Sequence, residues 1–320
     1  MYEKLQFTSY CKLKPNDPVF KISIIVLFHG GKLNMDNNIA IVTDSNSGIT
    51  KEEANNMGIT IIPMPFYINN KTYHEGLDLS HKEFYNYLEN NAEVRTSQPA
   101  PGSVTEVWDE LLKEKESIVY IPMSSSLSGS YQISEMLSQE YEGKVQVIDN
   151  KRISVTQLQS VKDALNLSKE GKTAKEIKSI LEDKQYNSSI YIVLDTLEFL
   201  KKGGRITPAA ASIAKVLNIK PVLQIQGEKL DSFKKARGIK QAKRIMKDAI
   251  KDDLKERFSG INNMKIYAAY SSDKEMGELW LKELSEEFPN YEVEMYPLSL
   301  SVGCHIGPNA IGVACVEKVV

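Results

Sequence analysis

From residue 39 onward the chain alternates short apolar runs with helical segments, and most runs end in a polar residue. Ile39–Thr43 is an apolar strand that ends in Asp44-Ser45. Thr50-Lys51-Glu52-Glu53 then has the spacing of a capping box, in which the hydroxyl and Glu53 satisfy free amides of a new helix. Gly58 is placed to stop that helix, and Ile59–Ile68 reads as one returning strand. Ser80 to Glu83 and Ser103 to Glu106 are two further boxes. The second is expected to open a helix with Val104, Val107, Trp108, Leu111 and Leu112 on one face. Ser117–Pro122 is a buried strand, Ile133, Met136 and Leu137 mark the next helix, and Lys144–Ile148 is a strand ending at Asp149. This alternation predicts an α/β fold whose first part is a mostly parallel sheet.

The rhythm changes near residue 155. Helices are expected over about 154–167, after Thr173, over 197–202 up to Gly203-Gly204, and over 209–217. A long amphipathic helix over about 238–257 and another over 275–287 follow. Strands are expected at 190–194, 220–226, 265–270, 291–297 and 310–316. The expected division is an N-terminal α/β domain over 35–155 and a C-terminal α/β domain over 156–320.

Residues 1–34 fit neither domain. Gly30-Gly31 stands just before Met35, and two glycine codons can spell a ribosome-binding sequence. We therefore expect translation to start at Met35, with residues 1–34 a spurious or disordered extension.

Bulk properties narrow the function. With 320 residues, 42% of them apolar and 26% charged, the chain has the make-up of a globular protein with a sizeable core. A net charge of -2 gives no global field for nucleic acid. The apolar run Ile22–Phe28 is too short to span a bilayer, so no stable membrane insertion is expected. Cys11, Cys304 and Cys315 form no CxxC pair or disulfide framework, which favours a reducing cytoplasm.

Three polar clusters stand out. Arg95-Thr96-Ser97-Gln98-Pro99 has two hydroxyls and an amide before a proline, which suits turn chemistry and a helix entry as well as a ligand. Ser124 to Ser130, with Gly129 inside, follows a buried strand; such a loop feeding a helix start either caps that helix or receives an anion. Gly303-Cys304-His305-Ile306-Gly307-Pro308-Asn309 places a histidine between glycines on what reads as a close-packed turn, a structural or a functional position.

Order and spacing add information that no single cluster carries. Thr43-Asp44-Ser45, Thr96-Ser97-Gln98-Pro99, Ser125 to Gln132, Leu197 to Ile206 with its Lys-Gly-Gly-Arg-Ile turn, Lys220-Pro221 and His305-Ile306-Gly307-Pro308 together resemble the DegV family. The resemblance runs from about residue 38 to the end. It implies a two-domain α/β protein that buries a long-chain fatty acid. Some members are FakB-type subunits of bacterial fatty acid kinase, whose partner kinase phosphorylates the bound carboxylate to an acyl-phosphate for phospholipid synthesis. A carrier of this kind implies no catalytic residue, metal or cofactor of its own.

Carried onto this chain, the resemblance implies that Thr96 and Ser128 bind the carboxylate, with His305 as a further donor. Asp44, Ser45, Ser97 and Gly129 would support the head-group site. Arg205, with Lys201 and Lys202, would meet the phosphorylated head or the kinase, although a surface or helix-end role is open for Arg205. Hydroxyls, helix-end amides and an imidazole N–H all suit an acceptor-only carboxylate. A helix N-terminus adds about 0.3–1 kcal/mol. Burial of the acyl chain contributes roughly 0.8 kcal/mol per methylene, or roughly 12 kcal/mol gross for about sixteen carbons before association costs.

The chain departs from the family pattern after Asp149. Where the family usually reads S-x-G-x-G, this sequence has Ser154-Val155-Thr156-Gln157-Leu158, which is expected to reshape the acyl tunnel or the domain contact. Asn309 replaces a more usual glycine, a milder change because asparagine tolerates a left-handed turn.

The competing reading is an autonomous acyl hydrolase or transferase, with Ser128, His305 and Asp44 as nucleophile, base and orienter. No G-x-S-x-G elbow accompanies them. A nucleotide-binding GxxxxGK[ST] is absent, as is any HExxH or Cys/His cluster among the four histidines.

Overall fold

The computed structural model describes residues 38–208, 210, 219–227 and 229–320. The expectations for residues 1–34 and for a helix over 209–217 fall outside these residues or almost entirely so.

The first sheet has four parallel strands in the order β2-β1-β6-β7: β1 Ile39–Asp44, β2 Thr60–Ile62, β6 Ser117–Ile121 and β7 Val145–Val147. In register, Ile41 pairs with Val119 and Val42 with Thr60. β1 and β6 are buried along almost their whole length, as a parallel sheet covered on both faces demands of its apolar runs. Their C-terminal ends gather the loops that follow Asp44 and Ile121.

Ile59–Ile68 is not one strand. β2 ends at Ile62, and β3 (Pro65–Ile68) belongs to a separate antiparallel sheet, ordered β4-β3-β5 with β4 Lys71–His74 and β5 Val94–Thr96. Pro63 and Pro65 carry no N–H for a ladder, and the intervening Met64 amide donates to Ser45 Oγ instead (3.0 Å). This interruption turns the chain into the small sheet that carries Thr96.

Two of the three expected boxes form. Thr50 with Glu53 caps α1 (Lys51–Met57), and Ser80 with Glu83 caps α2 (His81–Glu89). The Ser103/Glu106 box does not, because α3 (Pro101–Leu111) starts two residues earlier. Pro101 sits in its first turn, where a missing N–H costs nothing, so Ser103 lies within the helix. Four of the five expected face residues, Val104, Val107, Trp108 and Leu111, are buried, while Leu112 is the half-buried C-cap. α4 (Ser130–Ser138) follows the serine-rich loop.

The second large sheet has six strands in the order β10-β9-β8-β13-β11-β12: β8 Ser188–Val193, β9 Lys220–Ile225, β10 Asp231–Ala236, β11 Met264–Tyr270, β12 Val293–Pro297 and β13 Ile311–Glu317. Only β11 and β12 run parallel; the other pairs are antiparallel. α5 (Val155–Lys169) packs against β1 and β6 of the first sheet and β13 of the second. Twelve of its fifteen residues are buried, as expected of a helix with sheet on more than one side. α6 (Ala174–Asp183) is capped by Thr173 with Glu176 and lies beside α5, against β6 and β7. On the second sheet, α8 (Ile239–Asp252) covers β8, β9, β10 and β13, and α9 (Lys274–Glu287) covers β11 and β12.

Two short helices complete the elements that matter for the site, α7 (Glu198–Gly203) and α10 (Leu300–Ile306), which pack on each other. His305 therefore lies in the last turn of a helix, not on a turn as its flanking glycines suggest. Gly303 is accommodated inside that helix because a Cβ there would meet Tyr85 Oη at 2.8 Å and Phe84 at 2.9 Å.

Candidate functional site

Asp44 ends β1 with its side chain fully buried. Its carboxylate accepts from the Met123 amide (2.8 Å), from the amide and side chain of Asn46 (both 3.0 Å) and from Gln157 Nε2 (3.1 Å). Burial pushes its pKa up, and these donors pull it back. Asp44 thus ties together the loops after β1 and β6 and the start of α5. Neither Asp44 nor Ser45 lines the cavity beneath; the neighbouring Asn46 does.

Thr96, at the end of β5, is paired with Phe66 of β3. Its Oγ1 lies 2.9 Å from Nε2 of His305, on α10. Gly203, the last residue of α7, packs against the same imidazole: a Cβ there would lie 2.0 Å from Nδ1. Arg205 follows in the turn and donates through Nη1 to the Gly203 carbonyl. Burial, helped by the nearby Arg205 charge, pushes the His305 pKa down to about 4, so the ring is neutral at physiological pH. Its Nδ1 is buried without a hydrogen-bond partner.

The serine-rich loop approaches from the other side. The Ser128 hydroxyl lies 2.9 Å from that of Ser130 and accepts the Ser130 amide (3.2 Å), at the entry to α4. Gly129 is close to Gln98; a Cβ would stand 2.7 Å from Gln98 Oε1.

Thr96, Ser97, Gln98, Ser128, Gly129, Arg205 and His305 all border one cavity of about 1030 Å³, mouth included. Its remaining wall is mainly apolar. Leu127, Ile153 and Val155 come from the first half, and Ile190, Ile225 and Val313 from the six-stranded sheet. A mainly apolar space with a few convergent polar groups suits an amphipathic ligand with a compact polar head. Lys201 and Lys202 are exposed on the last turn of α7 and do not border the cavity.

Ser154 and Val155 of the Ser154–Leu158 segment border this cavity, and Thr156 and Leu158 do not. Leu158 belongs to the core, and Gln157 donates to Thr43 Oγ1 (3.0 Å), Asp44 and the Ile121 carbonyl (3.1 Å). Asn309 does take the left-handed conformation, with φ 57°.

Several contacts at the site left no mark in the sequence. Gly203 stands in the Lys-Gly-Gly-Arg-Ile turn, but it faces His305 only because α7 packs on α10. Asn46 and Ser301, joined by a 2.8 Å bond from Ser301 Oγ to Asn46 Oδ1, border the cavity from segments 255 residues apart. Among the described residues no cluster of three or more His, Cys, Asp or Glu could hold a metal ion.

A family model described as uncharacterised proteins of the DegV family matches residues 38–318. The chain belongs to the DegV family. A DegV domain-containing protein of Staphylococcus aureus (strain N315) is 33% identical over 283 residues, covering 87% of this chain and 98% of that protein. Among solved structures, DegV of Bacillus subtilis, described as a fatty acid binding protein, aligns with TM-score 0.77 at 28% identity, over 88% of this chain and all of that one. A DegV family protein of Thermus thermophilus, described by its fatty acid binding, aligns with TM-score 0.78 at 27% identity, over 87% and 99%. Among the described residues of this DegV protein, no helix is long and apolar enough to cross a membrane.

Proposed function

We propose that this DegV protein binds a long-chain fatty acid in the cavity and presents its carboxylate to a separate kinase. The kinase would transfer a phosphoryl group from ATP to a carboxylate oxygen, giving an acyl-phosphate. The observation that carries this reading is the hydroxyl–imidazole pair of Thr96 and His305 at the edge of an otherwise apolar cavity. Residues 35–155 and 156–320 act in this reading as two lobes that share the acyl chain. The protein works in the cytoplasm, where the kinase has its ATP.

The neutral imidazole has two tautomers. A proton on Nδ1 would be buried without an acceptor, at a cost of about 1–3 kcal/mol, whereas a proton on Nε2 is donated to Thr96 Oγ1. Thr96 then accepts from His305 and turns its own O–H to the carboxylate. Ser128 supplies a second hydroxyl, with Ser97 and Gly129 shaping the pocket around it. Asp44 and Ser45 act at one remove, by fixing the loops. In this reading Arg205, which borders the cavity, would stabilise added negative charge on the head, and the exposed Lys201 and Lys202 would meet the kinase.

A hydrolase built on Ser128, His305 and Asp44 is a poorer fit. Ser128 is bonded to Ser130, His305 Nε2 to Thr96, and the Asp44 carboxylate to Asn46, Met123 and Gln157. Incubation with ATP and the cognate kinase separates the two readings. The carrier yields acyl-phosphate, trapped as a hydroxamate, only when the kinase is present. Turnover of an acyl ester by the protein alone, abolished in Ser128→Ala, would overturn the proposal.

A further inference from the structure

Glu75 follows β4 directly, in the small sheet whose edge strand carries Thr96. Its carboxylate reaches two other elements at once. Oε2 accepts from Ser45 Oγ (2.9 Å), on the turn after β1, and from the Ser301 amide (3.3 Å), and it lies 2.9 Å from the Ser301 hydroxyl, whose one proton it shares with Asn46 Oδ1. Oε1 accepts from the Leu300 amide. Leu300 and Ser301 are the first two residues of α10, the helix that carries His305.

The N-cap residue of α10, Ser299, spends its side chain on the Val302 amide (3.3 Å), so the Leu300 and Ser301 amides depend on Glu75. Carboxyl oxygens suit these amides as acceptors; burial raises the Glu75 pKa to about 7, and the Leu300 and Ser301 amides with the Ser301 and Ser45 hydroxyls pull it back. Ser301 also bonds Asn46, and both border the cavity, although Glu75 itself does not. Beside the Thr96–His305 contact itself, Glu75 is therefore a second polar tie between the small sheet and the helix that carries His305.

We propose that Glu75 is a positioning residue for the carboxylate site, holding α10 against the small sheet so that the Thr96–His305 pair keeps its register. This rests on the carboxylate-binding reading above. Glu75 acts through other residues and touches no ligand, so its loss affects recognition of the acid head more than burial of the chain.

Affinities for palmitate and for hexadecanol, which lacks the carboxylate, test this by displacement of a fluorescent fatty acid probe from delipidated protein. Wild type is expected to prefer palmitate. Glu75→Ala should lose about tenfold of that preference while its hexadecanol affinity stays within about threefold, and Glu75→Gln, which keeps one acceptor oxygen, should lose less. Equal loss for both ligands would show a merely structural role and overturn the proposal, as would an unchanged preference. If Glu75→Ala does not fold, Glu75→Gln carries the comparison, and an unaltered preference there overturns the proposal. A wild type that binds both ligands alike would instead overturn the carboxylate reading itself.

Discussion

Thr96 and His305 are separated by 209 residues of chain, yet Oγ1 of one lies 2.9 Å from Nε2 of the other, at the edge of an apolar cavity. The pair joins a strand end of the small sheet to the last turn of α10. If Thr96 gives its proton to a fatty acid carboxylate, its removal deletes a charge-assisted bond. Thr96→Val, which keeps the β-branched shape, should weaken palmitate binding about tenfold or more, equivalent to roughly 1.5–3 kcal/mol. Isothermal titration of delipidated protein checks it, and unchanged affinity would remove Thr96 from the site.

Two glycines border the same groups and should behave differently. A Cβ on Gly203 would stand 2.0 Å from Nδ1 of the buried His305 ring, so Gly203→Ala must displace the imidazole from Thr96. Palmitate affinity should fall about tenfold. A Cβ on Gly129 meets only the far end of Gln98, which can swing away, so Gly129→Ala should stay within about threefold of wild type. Equal effects in the two variants would contradict this packing.

His305 sets a pH dependence of known sign. Its folded-state pKa is lowered to about 4, below the ordinary 6.5, so between these values the unfolded chain takes up the proton first. The stability that the neutral ring contributes is fully present above pH 6.5 and is lost as pH falls toward 4, by up to about 3 kcal/mol. Wild type should therefore lose stability relative to His305→Gln over this range, in paired urea titrations. Nitrogen-15 NMR should show the ring neutral down to about pH 5; protonation near 6.5 would contradict its burial.

The strand–helix alternation, the parallel first sheet and most helix starts were legible because apolar period and capping chemistry are local. The break at Pro63 and Pro65 was legible in principle, since proline cannot serve a ladder, but Ile59–Ile68 is apolar enough to mask it. β4 (Lys71–His74) and β10 (Asp231–Ala236) have no clear apolar rhythm; both are edge strands, half-exposed and rich in polar residues. Thr96, Ser128, Arg205 and His305 were found through motif order, and all border one cavity. Glu75 lies in none of these motifs, and Gly203, though within one, gives no sign of its contact with His305, because both depend on how distant elements pack and no local pattern encodes that.

The Leu158 side chain belongs to the core and does not border the cavity. Leu158→Ala should therefore cost about 2–5 kcal/mol of stability and leave ligand affinity within about threefold. Thermal unfolding with and without palmitate separates the two effects. A large change in affinity or chain-length preference would mean that this segment shapes the tunnel after all.

Mass spectrometry of an organic extract from freshly purified protein shows whether the cavity holds a long-chain fatty acid. About one fatty acid per chain is expected, since burial of some sixteen carbons favours retention by roughly 12 kcal/mol before association costs. Protein that yields no fatty acid and, once clean, fails to take up palmitate or oleate would contradict it.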